Sequence, residues 1–132
     1  MDTELNYLVW TIVLGLIQLL VTAQFFTAAN GLEYGASPRD APPPRHMSQL
    51  GGRFERAFKN LLETLPFAVA AILIAHMAGR HNAYTAWGAA LYFWGRLAYV
   101  AVYAAGISYV RTAVWLVSML GIVLVLLGLR WG

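Results

Sequence analysis

The chain contains no cysteine and a single lysine, and Asp, Glu, Lys and Arg together make up only 11% of its 132 residues. Without thiols it has no disulfide framework, no thiolate metal site and no cysteine nucleophile. Any reactive sulfur must arrive with a ligand. Soluble domains carry about 25% charged residues, so the shortage of charge excludes an ordinary soluble fold. A hydrophobic share of 60% and a mean hydropathy of +0.61 exclude disorder. At 14.6 kDa the chain is too small to hide that much apolar surface in a soluble core. The isoelectric point near 9.5 comes from scattered bases rather than a basic stripe, so nucleic acid is not an expected partner. What remains is an integral membrane protein.

A helix needs about 20 apolar residues to cross a hydrocarbon core of about 30 Å. Four segments qualify, approximately residues 5–29, 53–78, 82–109 and 112–130. The first and last are free of charge inside the span, and the third holds only Arg96. Asp2 and Glu4 precede the first span in place of the basic start of a signal peptide, so that helix is expected to be retained. Residues 30–52, with Gly31, Gly35, Pro42-Pro43-Pro44 and Gly51-Gly52, have loop composition. The other connections are short, which makes consecutive helices antiparallel neighbours. The expected fold is therefore one all-α domain over residues 1–132, an up-down four-transmembrane-helix bundle. Arg39, Arg45, Arg53, Arg56, Lys59 and Arg111 gather at one end, against Arg80 and Arg130 at the other. By the positive-inside rule the long loop is cytoplasmic and both termini are not.

Polar residues inside the second and third spans follow helical spacing. Arg53, Arg56, Asn60 and Glu63 sit at i, i+3, i+7 and i+10, one face roughly 80° wide. Tyr92, Arg96, Tyr99 and Tyr103 sit at i, i+4, i+7 and i+11, again one face. A charge at the bilayer centre costs about 2.5–3.5 kcal/mol, so neither stripe can face lipid. The two must face each other or a neighbouring subunit. Counted from the cytoplasmic ends of their helices, Glu63 and Arg96 lie at similar depth, so a buried Glu63–Arg96 pair beneath a polar cavity is expected. Such a pair also serves simply to fix helix register. Arg56, Asn60, Tyr99 and Tyr103 are not needed to neutralise it, and spare donors in a stripe point to an anionic or zwitterionic ligand.

The stretch Arg53-Phe-Glu-Arg-Ala-Phe-Lys-Asn-Leu-Leu-Glu-Thr-Leu-Pro66 resembles the helix-two signature of the MAPEG family, membrane-associated proteins in eicosanoid and glutathione metabolism. The matching elements are Arg56-Ala57, Asn60, Glu63 and Pro66. Gly95-Arg96-Leu-Ala-Tyr99-Val-Ala-Val-Tyr103 and the following Arg111-Thr112 resemble the second signature. Ala36-Ser-Pro-Arg-Asp40 is similar to the bacterial branch, which would place the chain in a cell inner membrane. The resemblance implies a homotrimer binding glutathione between subunits near the cytoplasmic face. It implies that Arg53, Arg56, Asn60, Glu63, Arg96, Tyr99 and Tyr103 hold the carboxylates and amine of the peptide. Arg111 would stand near the sulfur and Thr112 would add a hydroxyl donor. A guanidinium within about 4–6 Å lowers the pKa of a thiol and raises its nucleophilic fraction. The expected activity is transfer of the glutathione thiolate to a lipophilic electrophile from the bilayer, with peroxide reduction as a side activity. Partners are then glutathione, that electrophile and membrane lipid.

The sequence departs from the enzymatic pattern at the end of helix one. Several enzymatic members carry an Arg there, reaching into a neighbouring site. Here the region reads Gln24-Phe-Phe-Thr-Ala-Ala-Asn30-Gly31, with no base before Arg39. The alternatives are a non-catalytic lipid-binding or scaffold member of the same type, favoured by that departure, and a small multidrug exporter. The arginine-led stripe is unsuited to a cationic drug. His46, His76 and His81 share no metal-ligand spacing, so no metal site is expected.

Overall fold

The computed structural model describes residues 2–39 and 47–131. They form helices α1 (Thr3–Asn30), α2 (Leu32–Ala36), α3 (Gln49–Met77), α4 (Ala83–Ala105) and α5 (Ser108–Gly128). His46, Arg45 and the proline run lie outside the described residues. Residues 30–52, expected as loop, contain the short α2 and the first turn of α3. The α3 helix starts at Ser48, whose side chain accepts from the Gly51 N–H, and runs unbroken through Pro66. Asn82 and Thr85 cap α4 reciprocally, each side chain taking the other's backbone N–H, which fixes the start of that helix.

Helices α1, α3 and α5 are each long and apolar enough to span a membrane. At 23 residues α4 has comparable length but a lower average hydropathy, to which Arg96 and its tyrosines contribute although they face inward. Thr85, Tyr92, Arg96 and Tyr99 are all buried within the bundle, while Trp87, Trp94 and Leu97 face outward. Average hydropathy does not distinguish an inward arginine from an outward one.

α1 packs on α3 and α4, and α5 packs on the same two helices from the other side. The core joins Leu8 to Ala71, Ile72, Ala75, Ala89 and Val125. The closest approach is between α4 and α5. A Cβ on Gly88 would lie 2.5 Å from the Gly121 carbonyl oxygen, and one on Gly121 would lie 2.6 Å from that of Gly88. A Cβ on Gly95 would meet Ser118 and one on Gly128 would meet Thr85. Small residues at these points let the two backbones touch, the usual way that helices associate where lipid supplies no hydrophobic drive.

The helices alternate in direction, so each end of the bundle gathers distant sequence. At one end the start of α1 meets the α3–α4 turn and the end of α5. Thr85 Oγ1 donates to Glu4 at 2.5 Å, Asn82 donates to the Gly128 carbonyl, and Arg80 donates to the Leu129 carbonyl. At the other end the start of α3 meets the ends of α1 and α4, with Gly51 against Phe25 and Arg53 against Ala104.

Candidate functional site

The basic end of the bundle brings the two polar stripes together. Arg96 is 1% exposed, and its Nη1 donates to Asn60 Oδ1 at 2.9 Å across the α3–α4 interface. Its guanidinium carbon lies 4.2 Å from the centre of the Tyr99 ring. Tyr99 packs edge-on to Tyr103, with ring centres 5.7 Å apart. Arg56 Nε donates to the Tyr103 hydroxyl at 3.0 Å, and Arg111 reaches from α5 to within 4.7 Å of the same ring's centre. Arg56, Asn60, Arg96, Tyr99, Tyr103 and Arg111 thus form one continuous cluster drawn from α3, α4 and α5. Arg96 and Tyr99 are its buried floor, and the exposed Arg56 marks its rim. Below the floor, Thr64 and the Tyr92 hydroxyl share a hydrogen bond of 2.8 Å.

The expected Glu63–Arg96 ion pair does not form, and the helical geometry explains why. Successive residues rotate by about 100°, so Arg53 and Asn60 lie within about 20° of each other while Arg56 and Glu63 lie farther round. The Arg53–Asn60 edge of the stripe meets α4 directly, through the Ala104 carbonyl and Arg96, whereas from the far edge only the long side chain of Arg56 reaches α4, at Tyr103. Glu63 is the middle residue of α3 and is exposed. Arg96 is instead satisfied by Asn60 at one nitrogen and covered by the Tyr99 ring, while its Nε is buried without a partner.

Asn60 is the acceptor that lets Arg96 be buried. Asn60→Ala is expected to lower stability by about 1–3 kcal/mol, because a charged donor is left buried and unsatisfied. Thermal unfolding of the purified protein in detergent measures it.

The remaining expected residues divide. Arg53 Nη1 donates to the Ala104 carbonyl at 3.1 Å and packs on Gly106, which ends α4 in the left-handed region at φ +78°. Arg53 therefore closes the end of a helix. Thr112 is exposed beside Arg111, and its hydroxyl forms no hydrogen bond among the described residues. Helix α5 begins at Ser108, so Arg111 lies at the end of its first turn. A cation there opposes the helix dipole, and an anion bound nearby would offset that cost.

One feature at this end was hidden from sequence reading. Arg39 folds back so that its guanidinium carbon lies 4.8 Å from the Phe26 ring centre, held by two bonds to the Gly35 carbonyl. With Arg56, Phe26, Asn30, Gln49 and Phe58 it lines a groove of about 810 Å³ between α1 and α3. A base absent from the end of helix one is thus returned to it through α2. Only the short turn made by α2 reveals this.

The arrangement defines an all-helical membrane protein with a cationic, tyrosine-lined site at one end of its bundle. The sequence model of the MAPEG family matches residues 7–131. The chain belongs to the MAPEG family, and that membership is consistent with a glutathione-related membrane function. Comparisons with curated proteins and with solved structures give no match.

Proposed function

We propose that this protein is a glutathione-dependent membrane transferase. The observation that carries the reading is Glu63, an exposed carboxylate at the midpoint of a helix long and apolar enough to span the membrane. Facing lipid, such a charge is costly even short of the bilayer centre, so something must cover it. The cluster beside it supplies cations and phenols in excess of that one acid. A ligand with two carboxylates and one ammonium balances both. Glu63 takes the ammonium, while Arg56, Asn60, Tyr99 and Tyr103 take the carboxylates, with Arg96 as the charge beneath them. Glutathione has this composition and brings the sulfur that the chain lacks.

In this reading α4 is also a span, the third of four, the working unit is a homotrimer whose neighbouring subunit closes the site, and both termini are non-cytoplasmic. Arg111 stabilises the glutathione thiolate, and Thr112 donates to it once the ligand is bound. The thiolate attacks an electrophilic carbon of a lipophilic acceptor, a carbon–sulfur bond forms, and the leaving group departs with its electron pair. The acceptor reaches the site sideways from the bilayer.

The second reading, a non-catalytic lipid-binding or scaffold protein, is favoured by the stretch Gln24–Gly31, which carries no base. Turnover of a chloronitrobenzene with glutathione by the purified protein separates the two. Chloride release and conjugate formation above the uncatalysed rate are expected. Glutathione binding without turnover would favour the second reading.

A further inference from the structure

The end of the bundle opposite the proposed glutathione site holds a second constellation. Asp2 immediately precedes α1, His76 lies in the last turn of α3, and His81 lies in the turn before α4. His76 Nδ1 is 3.0 Å from Asp2 Oδ2, and His81 Nε2 is 3.5 Å from the same oxygen. One ligating atom from each of the three residues falls within 4.8 Å of the others. Zinc bonds to His nitrogen and carboxylate oxygen are about 2.0–2.2 Å long, so donors around a tetrahedral ion are about 3.3 Å apart. Two of the separations bracket that value, and a small rotation of either exposed imidazole closes the third.

A second observation concerns Glu4. This carboxylate is buried and anchored by the Thr85 hydroxyl through one oxygen. Its other oxygen lies 3.6 Å from His81 Nδ1, a few tenths beyond hydrogen-bond distance. A carboxylate on one ring nitrogen fixes the tautomer and aims the lone pair of the other nitrogen, as behind metal-ligating histidines generally. A small turn of the His81 ring would bring Nδ1 within bonding distance of Glu4 and so direct Nε2 towards Asp2. Two carboxylates and two neutral imidazoles also balance a divalent ion. The nearby cation, Arg80, is turned away to the Leu129 carbonyl.

We propose that Asp2, His76 and His81 bind a divalent transition-metal ion of the zinc type, with Glu4 positioning His81 and water completing the coordination. Mixed nitrogen and oxygen donors favour zinc, copper, nickel or cobalt over magnesium and calcium. The bound ion ties the start of α1 to the α3–α4 turn. Sequence spacing does not reveal the site, because Asp2 and His76 come from opposite ends of antiparallel helices.

The test uses tag-free, full-length protein in detergent, stripped with chelator and then dialysed against zinc(II). One zinc per chain is expected, with a rise in melting temperature. Cobalt(II) is expected to give the visible d–d bands of a low-coordinate nitrogen and oxygen site. Affinity should fall at least about tenfold in His76→Ala and in His81→Ala and about 10–100-fold in Glu4→Gln. His46→Ala should bind as the parent does. If burial makes Glu4→Gln fail to fold, Asp2→Asn, at a half-buried ligand, should still lower affinity at least about tenfold. Absence of stoichiometric zinc binding would overturn the proposal, as would binding undiminished in both histidine variants.

Discussion

Arg111→Ala is expected to lower the rate of glutathione conjugation at pH 7 by about 10–100-fold, and by only a few-fold above pH 9. The size follows from the ligand's thiol. Free, it has a pKa of about 8.5 and is only a few per cent thiolate at neutral pH. A guanidinium within about 4–6 Å lowers that pKa by about 1–3 units. The nucleophile is then present above the lowered value and is lost as pH falls through it. Removing the cation returns the requirement to the free thiol's range, so the deficit is large near pH 7 and closes as alkali ionises the thiol unaided. Arg111 is placed for this by Tyr103, whose ring lies under its guanidinium and whose hydroxyl is held by Arg56. Arg111→Lys keeps the charge and should fall between the two. A merely structural role for Arg111 would give a loss that does not change with pH. Initial rates from pH 6 to pH 9.5 (about the range that spans both ionisations) distinguish the cases.

Gly88→Ala is expected to destabilise the bundle by about 3 kcal/mol. The added methyl would stand 2.5 Å from the Gly121 carbonyl oxygen and 2.8 Å from the Val125 backbone nitrogen, and neither backbone can step aside without separating α4 from α5. That separation also moves Arg111 and Tyr103 apart, because the two helices carry them. Gly15→Ala is the matched control: its Cβ would lie 3.6 Å from a Leu61 methyl, an ordinary contact. Thermal unfolding in detergent should show a much lower midpoint for Gly88→Ala and little change for Gly15→Ala. Equal midpoints would mean that the α4–α5 contact is looser than described.

Much of this was legible in the sequence because helical periodicity in a membrane chain leaves few choices. The 3.6-residue spacing of Arg56, Asn60, Arg96, Tyr99 and Tyr103 put them on facing stripes, and the bundle brings those residues together. Periodicity does not set the rotation of one helix against another, and the Glu63–Arg96 pair failed there. A turn of about 80° separates Arg53, which bonds to α4, from Glu63, which forms no ion pair with Arg96. The seam of Gly88, Gly95, Gly121 and Gly128 emerged only in the structure, although its seven-residue spacing is of the kind that marks helix contacts. Contacts that depend on chain reversal were not readable. Arg39 returns to Phe26 only because α2 turns the chain, and Asp2 meets His76 and His81 only because α1 and α3 run antiparallel.

An exposed Glu63 beside a cationic floor calls for a zwitterionic ligand that satisfies both. Titration calorimetry of glutathione into the purified, tag-free protein tests that most directly, with Glu63→Gln and Arg56→Ala in parallel. Saturable binding to the parent protein is expected, weakened at least about tenfold in each variant, because each loses a charge-assisted contact of about 1.5–3 kcal/mol. No saturable binding to the parent, or equal binding to all three proteins, would contradict it.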